Sequence, residues 1–102
     1  MAEPFRIEFS PMALDEINSL RKFDRQTIAA SMNEQLRFQP TLLTRNRKPL
    51  KEPRASFEFR PPLWEIRCGE FRILYDVDTT ERVVYIRAVR QKSAHQTTDE
   101  IL

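Results

Sequence analysis

A chain of 102 residues with a formal net charge of +2 and one cysteine has room for a single domain, residues 1–102, and cannot form an internal disulfide. No apolar run approaches the roughly 20 residues that a membrane-spanning helix needs, and the N-terminus lacks the pattern of a signal peptide. We therefore expect a soluble, cytoplasmic protein with one modest core and no membrane contact.

The first predicted element is a strand at residues 5–9, where apolar and charged residues alternate. Because successive side chains of a strand point to opposite faces, Phe5, Ile7 and Phe9 are expected to face inward. The strand is expected to end at Ser10, since Pro11 follows.

Two helices are predicted next. Ser10 as N-cap and Pro11 as the first helical residue start the first helix, which is expected to end near Lys22. Asp24 is expected to cap the second, in which apolar residues recur every four positions until Pro40 stops it. Because the link between the two helices is only a few residues long, they are expected to form an antiparallel helix hairpin.

Residues 41–60, called here the basic segment, carry six basic against two acidic side chains, whereas the stretch on either side carries one more acidic than basic residue. Its first part, through Arg54, is predicted to be an extended loop anchored by Leu50. Such a local patch favours polyanions, and the alternative is an ordinary solvated loop. The basic residues are Arg45, Arg47, Lys48, Lys51, Arg54 and Arg60.

Three strands are predicted in the second half, at residues 56–67 with a break at Pro61-Pro62, at 71–77 and at 83–89. A weak capping box, Thr97 with Glu100, favours a short C-terminal helix. Strands that follow two helices, rather than alternating with them, predict an α+β fold: an N-terminal strand and a helix hairpin packed on one face of a small antiparallel sheet.

Gly69, the only glycine, fixes a hairpin between two of these strands. A type II′ turn at Gly69-Glu70 pairs Arg67 with Arg72 and places both on one face, opposite the apolar residues. Like charges that face each other favour an anion between them, and phosphate is the natural candidate.

The face that carries these two arginines is predicted to be open, and it is expected to include Glu65 and Asp76 as well. The alternative is that each arginine is solvated or lies beside one of those two carboxylates. The sequence does not decide whether Tyr85 and Arg87 lie on this face. In the last strand both sets of alternate residues are apolar, so either set could face the core.

A set of positions spread over nearly the whole chain matches a known family: residues 13–20, Pro40, Pro49-Leu50-Lys51, Trp64, Ile66-Arg67, Gly69, Phe71-Arg72, Tyr75 and residues 83–89. Through them the sequence resembles the RelE/ParE superfamily of toxins from bacterial type II toxin–antitoxin modules. The resemblance implies a β-α-α-β-β-β toxin that binds a cognate antitoxin in a hetero-oligomer. RelE-branch toxins cleave mRNA on the ribosome, and ParE-branch toxins poison DNA gyrase.

The resemblance also implies roles for individual residues. Arg72 falls on the arginine that contacts the scissile phosphate in RelE-type enzymes, Lys92 falls near a second basic position, and Lys51 falls on a basic loop position. The chain departs from the family at Leu63 and Glu65, where RelE-type enzymes often place lysines, and at Thr97 or Thr98, where some relatives have a tyrosine. The residues expected to bind RNA are Arg45, Lys48, Lys51 and Arg90.

Cleavage of RNA through its own 2′-hydroxyl needs a base for that hydroxyl, cations at the phosphate and an acid for the leaving 5′-oxygen, but no metal. Arg67 and Arg72, with Lys92, suit the cationic role, since guanidinium pairs with phosphate and keeps its charge. His95 is the preferred base, and Glu65 is the alternative. One histidine and one cysteine do not make an ordinary zinc site, and one glycine excludes a glycine-rich phosphate loop, so no cofactor is expected.

The expected function is therefore that of a toxin that inhibits translation by ribosome-dependent cleavage of mRNA. A gyrase inhibitor is the alternative, and a degenerate module that only binds its antitoxin is a third. The antitoxin is expected to be an acidic or amphipathic chain that orders on binding.

Overall fold

The computed structural model describes residues 3–102, and this part of the chain forms five strands and three helices. The strands make one sheet in the order β1-β5-β4-β3-β2, in which β1 is parallel to β5 and the other pairs are antiparallel. The α+β fold is thus confirmed, with β2 as an addition. No helix within residues 3–102 combines the length and hydrophobicity needed to span a membrane. The elements are β1 (Arg6–Phe9), α1 (Pro11–Asn18), α2 (Lys22–Leu36), β2 (Arg47–Pro49), β3 (Trp64–Cys68), β4 (Phe71–Asp78), β5 (Val83–Gln91) and α3 (Thr98–Ile101).

The start of α1 follows its sequence signals, but the boundary between the helices does not. Ser10 Oγ accepts a hydrogen bond from the Ala13 amide at 3.1 Å, so Ser10 is the N-cap. The second helix begins at Lys22 with Arg21 as N-cap, so the prediction that Asp24 caps it is wrong. Asp24 lies in the first turn, where its negative charge interacts favourably with the helix dipole. Its carboxylate also forms an ion pair with Arg21 at 3.1 Å.

The hairpin between β3 and β4 has the predicted register. Arg67 pairs with Arg72, and Trp64 pairs with Tyr75. Gly69 has a φ of +59°, whereas Glu70 is not in the positive-φ region, which is the pattern of a type II′ turn. One glycine therefore determines which side chains of the two strands share a face.

The helices cover one face of the sheet, as predicted. Ile66, Ile73 and Tyr75 are fully buried there, and the Tyr75 hydroxyl donates a 2.6 Å hydrogen bond to the Pro40 carbonyl oxygen. Phe9 pairs with the buried Ile86 and so lies on the helix side as predicted, but it is 37% exposed. It ends β1, which lies at the edge of the sheet, where less of the structure covers it.

The other face is covered as well, so the prediction of an open face is wrong. Residues 56–63 are not a strand. They belong to an irregular segment, residues 50–63, whose apolar side chains pack on this face together with Leu102 from beyond α3. The Ser56 amide and hydroxyl both donate to the Leu102 carbonyl oxygen, at 3.0 and 2.6 Å, which ties the two covering segments together. The apolar residues of this second cluster are Leu50, Ala55, Phe57, Phe59, Leu63, Leu74, Ala88 and Leu102.

Asp76, which was expected on the open face, is fully buried under the same segment. Arg87 donates to both of its carboxylate oxygens, at 2.5 and 3.1 Å, and the Arg60 amide donates to Oδ2 at 3.1 Å. Tyr85 pairs with Asp76 across the strands, and the Arg87 guanidinium lies 4.9 Å from the Tyr85 ring centroid. Tyr85 and Arg87 therefore belong to this second face, where they pack around the buried Asp76 and have a structural role.

Replacing Gly69 tests the origin of the register. A Cβ at this position would meet no atom within 4 Å, so the cost of Gly69→Ala is conformational and amounts to about 1 kcal/mol of unfolding free energy. Gly69→Asn should cost less, because asparagine tolerates positive φ. Urea unfolding measures both, and an alanine variant as stable as the wild type would contradict the turn assignment.

Candidate functional site

Three arginines stand in line across the second face, at the end where the β3–β4 hairpin turns. Arg67 on β3 pairs with Arg72 on β4, and Arg72 pairs with Arg90 on β5. Paired residues of antiparallel strands point to the same side, so the three side chains form one row, called here the arginine row. Arg67 is exposed, Arg90 is half-buried and Arg72 is only 7% exposed.

Arg72 is held by the protein itself. Its Nε lies 3.2 Å from Glu65 Oε1, and its Nη1 donates to the Gly69 and Phe71 carbonyl oxygens at 2.8 and 2.9 Å. Glu65 is 4% exposed, so the expectation that Glu65 and Arg72 line an open surface is wrong. For Arg72 the alternative interpretation, a position beside Glu65, is the one observed. The physical reason is the covering layer, which removes both groups from water and makes each the partner of the other.

The short helix α3 completes this ion pair. Thr98, its first residue, donates a 2.8 Å hydrogen bond to Glu65 Oε2, so both carboxylate oxygens have a partner. The Arg72 contact is electrostatic, because Nε is not aligned for a hydrogen bond with Glu65. Arg72 Nη2 makes no hydrogen bond to any residue of the described chain. Within residues 3–102, one amino group of this guanidinium is thus left without a hydrogen-bond partner.

Arg90 is also paired. Its Nε lies 3.1 Å from Glu16 Oε2, and its guanidinium lies 5.6 Å from the Phe57 ring centroid. Glu16 in turn accepts a 3.0 Å hydrogen bond from the Val89 amide, which fastens α1 to β5. Arg67 is consequently the member of the row that has no ion pair within residues 3–102.

The segment that follows β5 is fastened at both ends beside the row. The Lys92 amide donates to the Glu70 carbonyl oxygen at 2.7 Å, and Thr98 bonds to Glu65. His95 lies halfway between these anchors and is exposed. Three residues span at most about 11 Å, so the His95 Cα lies within that distance of both anchors. Arg67, Arg72, Arg90, Lys92 and His95 therefore gather at one end of the sheet, called here the hairpin corner.

The basic segment divides into free and structural cations. Arg45, Lys48 and Lys51 are exposed, and Lys48 pairs with Glu65 across β2 and β3, which places it on the same face. Arg47 is buried and donates to the Leu42 and Gln35 carbonyl oxygens, so it holds the end of α2 and is not part of a binding surface.

Arg60 is a structural cation too, because it forms a 2.9 Å ion pair with Asp78. The pKa of the Asp78 carboxyl is lowered by the Glu81 amide and by Arg60, and the hydrogen bond to Asp78 raises the pKa of Arg60. Within residues 3–102 no group of three or more metal-ligating side chains is found.

Sequence reasoning missed Thr98 and Glu16 as parts of this corner. The capping signal at Thr97 places Thr98 at the start of a helix, but no local pattern indicates that this helix docks on Glu65. Glu16 lies one position before the buried Ile17 on α1, and its contact with β5 depends on how the helix packs.

A family model described as "ParE toxin of type II toxin-antitoxin system, parDE" matches residues 7–95. Curated protein sequences gave no significant match.

Several solved structures have the same fold. The toxin–antitoxin complex RelBE2 from Mycobacterium tuberculosis matches with a TM-score of 0.68 and 22% identity, over 87% of this chain and 99% of that chain. The archaeal RelE–RelB complex from Pyrococcus horikoshii matches with a TM-score of 0.67 and 18% identity, over 88% and 97%. The isolated RelE toxin from E. coli matches with a TM-score of 0.67 and 19% identity, over 94% and 93%. At these identities the similarity establishes a RelE-like fold and nothing finer.

The hydroxyl of Thr98 can be removed without changing the shape of the side chain. Thr98→Val should lower the unfolding free energy by roughly 1–3 kcal/mol, because it leaves a buried carboxylate oxygen without a donor. Thr98→Ser keeps the hydroxyl and should retain most of the stability. Urea unfolding of the three proteins checks this, and equal stability of the valine variant would show that Thr98 does not seal the ion pair.

Proposed function

We propose that this chain, which belongs to the ParE toxin family within the RelE/ParE superfamily of type II toxin–antitoxin toxins, inhibits translation by cleaving mRNA on the ribosome. The observation that carries this proposal is the arginine row with Lys92 at the hairpin corner. Arg72 and Arg90 are each partly neutralised by a carboxylate, so Arg67 is the member of the row that is left to bind an RNA phosphate.

The exposed Arg67 is the first contact for an incoming phosphate in this proposal. Arg72 contributes Nη2, the amino group that has no partner within the described chain, toward the charge that grows on the phosphorane. Glu65 competes for the same guanidinium, so substrate binding is expected to weaken the contact between Arg72 and Glu65.

The base that accepts the proton of the 2′-hydroxyl is proposed to be His95. The 2′-oxygen then bonds to phosphorus while the bond to the 5′-oxygen breaks, and the imidazolium returns the proton to that leaving oxygen, which leaves a 2′,3′-cyclic phosphate. Glu65 already bonds to Thr98 and lies beside Arg72, and it is almost completely buried, so it is poorly placed to meet a substrate hydroxyl. His95 is exposed on a segment that is fastened to the corner at both ends. An imidazole is also suited to proton transfer near neutral pH.

The RNA on either side of the cleaved bond is proposed to follow the exposed cations. Lys48 lies on the same face as Glu65, and Lys51 and Arg45 continue along the basic segment. Arg90 lies at the other end of the arginine row. Their role is to bind phosphates, without reading the bases.

The partner is proposed to be a cognate antitoxin. Two of the similar structures are complexes of a toxin with its antitoxin, which supports a hetero-oligomer of the same kind here. The antitoxin would keep the toxin inactive in the cytoplasm until it is released.

Arg67→Ala tests the proposed enzyme without disturbing a buried ion pair. Loss of one phosphate contact should reduce mRNA cleavage in a translating extract by about a hundredfold, measured by primer extension. Arg6→Ala is the matched control, because Arg6 is an exposed arginine on β1 at the far edge of the sheet. Intact message with the wild-type protein, or equal cleavage by Arg67→Ala, would contradict the proposal.

Gyrase inhibition is the second candidate. It is favoured by the carboxylates beside Arg72 and Arg90, since a toxin that only binds a protein needs no free phosphate site. A supercoiling assay distinguishes the two: gyrase that stays fully active at high toxin concentration removes this candidate.

A further inference from the structure

Residues 50–63 line an open apolar pocket of about 540 Å³ on the second face of the sheet. Among its lining residues Leu63 is buried, Leu50, Pro53 and Phe59 are half-buried, and Pro61 and Pro62 are exposed. Glu52 is the single polar residue in the lining. The other lining residues are Leu50, Pro53, Phe59, Pro61, Pro62 and Leu63, and we call this the proline pocket.

Exposed cations flank the lining residues in the sequence. Lys51 and Arg54 each adjoin a lining residue, and Lys48 lies on the strand that leads to it. None of the three forms an ion pair within residues 3–102. Glu52 and Glu58 are the carboxylates in the same stretch, so exposed cations outnumber anions in this part of the chain.

The pocket adjoins the hairpin corner. Leu63, Glu65 and Arg67 are alternate residues that share the second face. At the rise of a strand, Leu63 lies about 7 Å from Glu65 and about 13 Å from Arg67. A short single strand whose phosphate lies on Arg67 therefore reaches the pocket within a few nucleotides.

We propose that the proline pocket receives one unstacked base of single-stranded RNA, whose neighbouring phosphates lie on Lys51 and Arg54. An aromatic ring beside exposed cations is the combination that binds single strands, because every base has a flat apolar face and every linkage carries a charge. The Glu52 carboxylate accepts a hydrogen bond from an exocyclic amino group, so the pocket prefers adenine to uracil. The choice of RNA rests on the proposed function.

Direct binding of labelled hexa-adenylate and hexa-uridylate RNA, measured by fluorescence anisotropy without ribosomes, tests the pocket. The wild type should bind the adenylate more tightly. Phe59→Leu should weaken adenylate binding at least about fivefold, because it removes the ring and keeps an apolar side chain in the second cluster. Phe23→Leu is the matched control, since Phe23 is an exposed phenylalanine on α2. Lys51 and Arg54 lie outside the core. Because each is proposed to contact a phosphate, Lys51→Ala and Arg54→Ala should each reduce the salt dependence of binding.

The methyl resonances of Leu50 and Leu63 provide a second measurement in the wild-type protein. They should shift when hexa-adenylate is added. Unchanged methyl signals, or a folded Phe59→Leu protein that binds like the wild type, would overturn the proposal. Shifts that arise only with an antitoxin peptide, and not with RNA, would overturn it too and assign the pocket to a protein partner.

The same experiments separate this inference from the proposed enzyme. Binding that depends on Phe59, in a protein that cuts no message in an extract, removes the enzyme and supports the pocket. Cleavage by a protein whose RNA binding is independent of Phe59 removes the pocket and supports the enzyme.

Discussion

The buried ion pair of Glu65 and Arg72 is the constraint on which the rest of the site depends. Two charges withdrawn from water are stable only when each has a partner. Here the two side chains pair with each other, Thr98 donates to the Glu65 carboxylate, and two backbone carbonyl oxygens accept hydrogen bonds from Arg72. The pair therefore holds α3 against the sheet and fixes the guanidinium at the centre of the arginine row. It also decides which groups remain for a ligand, namely Arg67, Lys92, His95 and one amino group of Arg72.

A sheet covered on both faces explains why the site lies at an end and not on a surface. The helices seal one face, and residues 50–63 with the C-terminal residues seal the other. Of the arginine row, the accessible part is the end at the turn of the β3–β4 hairpin, where Arg67 is exposed, beside the segment after β5. The irregular cover has a further consequence, since it leaves an apolar pocket lined by prolines, a phenylalanine and leucines.

Local signals in the sequence were enough for part of this description. Gly69 determines the hairpin register, and Ser10-Pro11 determines where α1 begins, because each depends on a few neighbouring residues. The pairing of Arg67 with Arg72 followed from that register. The burial of Arg72 did not, because alternation shows which side chains share a face and not whether an irregular segment covers it. Phe57, Phe59 and Leu63 could be read equally well as a strand or as a covering layer, and only long-range packing distinguishes the two.

A double-mutant cycle between Glu65 and Arg72 tests the central claim most directly. Glu65→Gln and Arg72→Met each leave one buried charge unpaired, and each should cost about 3–5 kcal/mol of unfolding free energy. The account predicts that the double variant loses far less than the sum of the two, because it contains no unpaired charge. Losses that add to within about 0.5 kcal/mol would show that the two groups act independently, and would contradict the account.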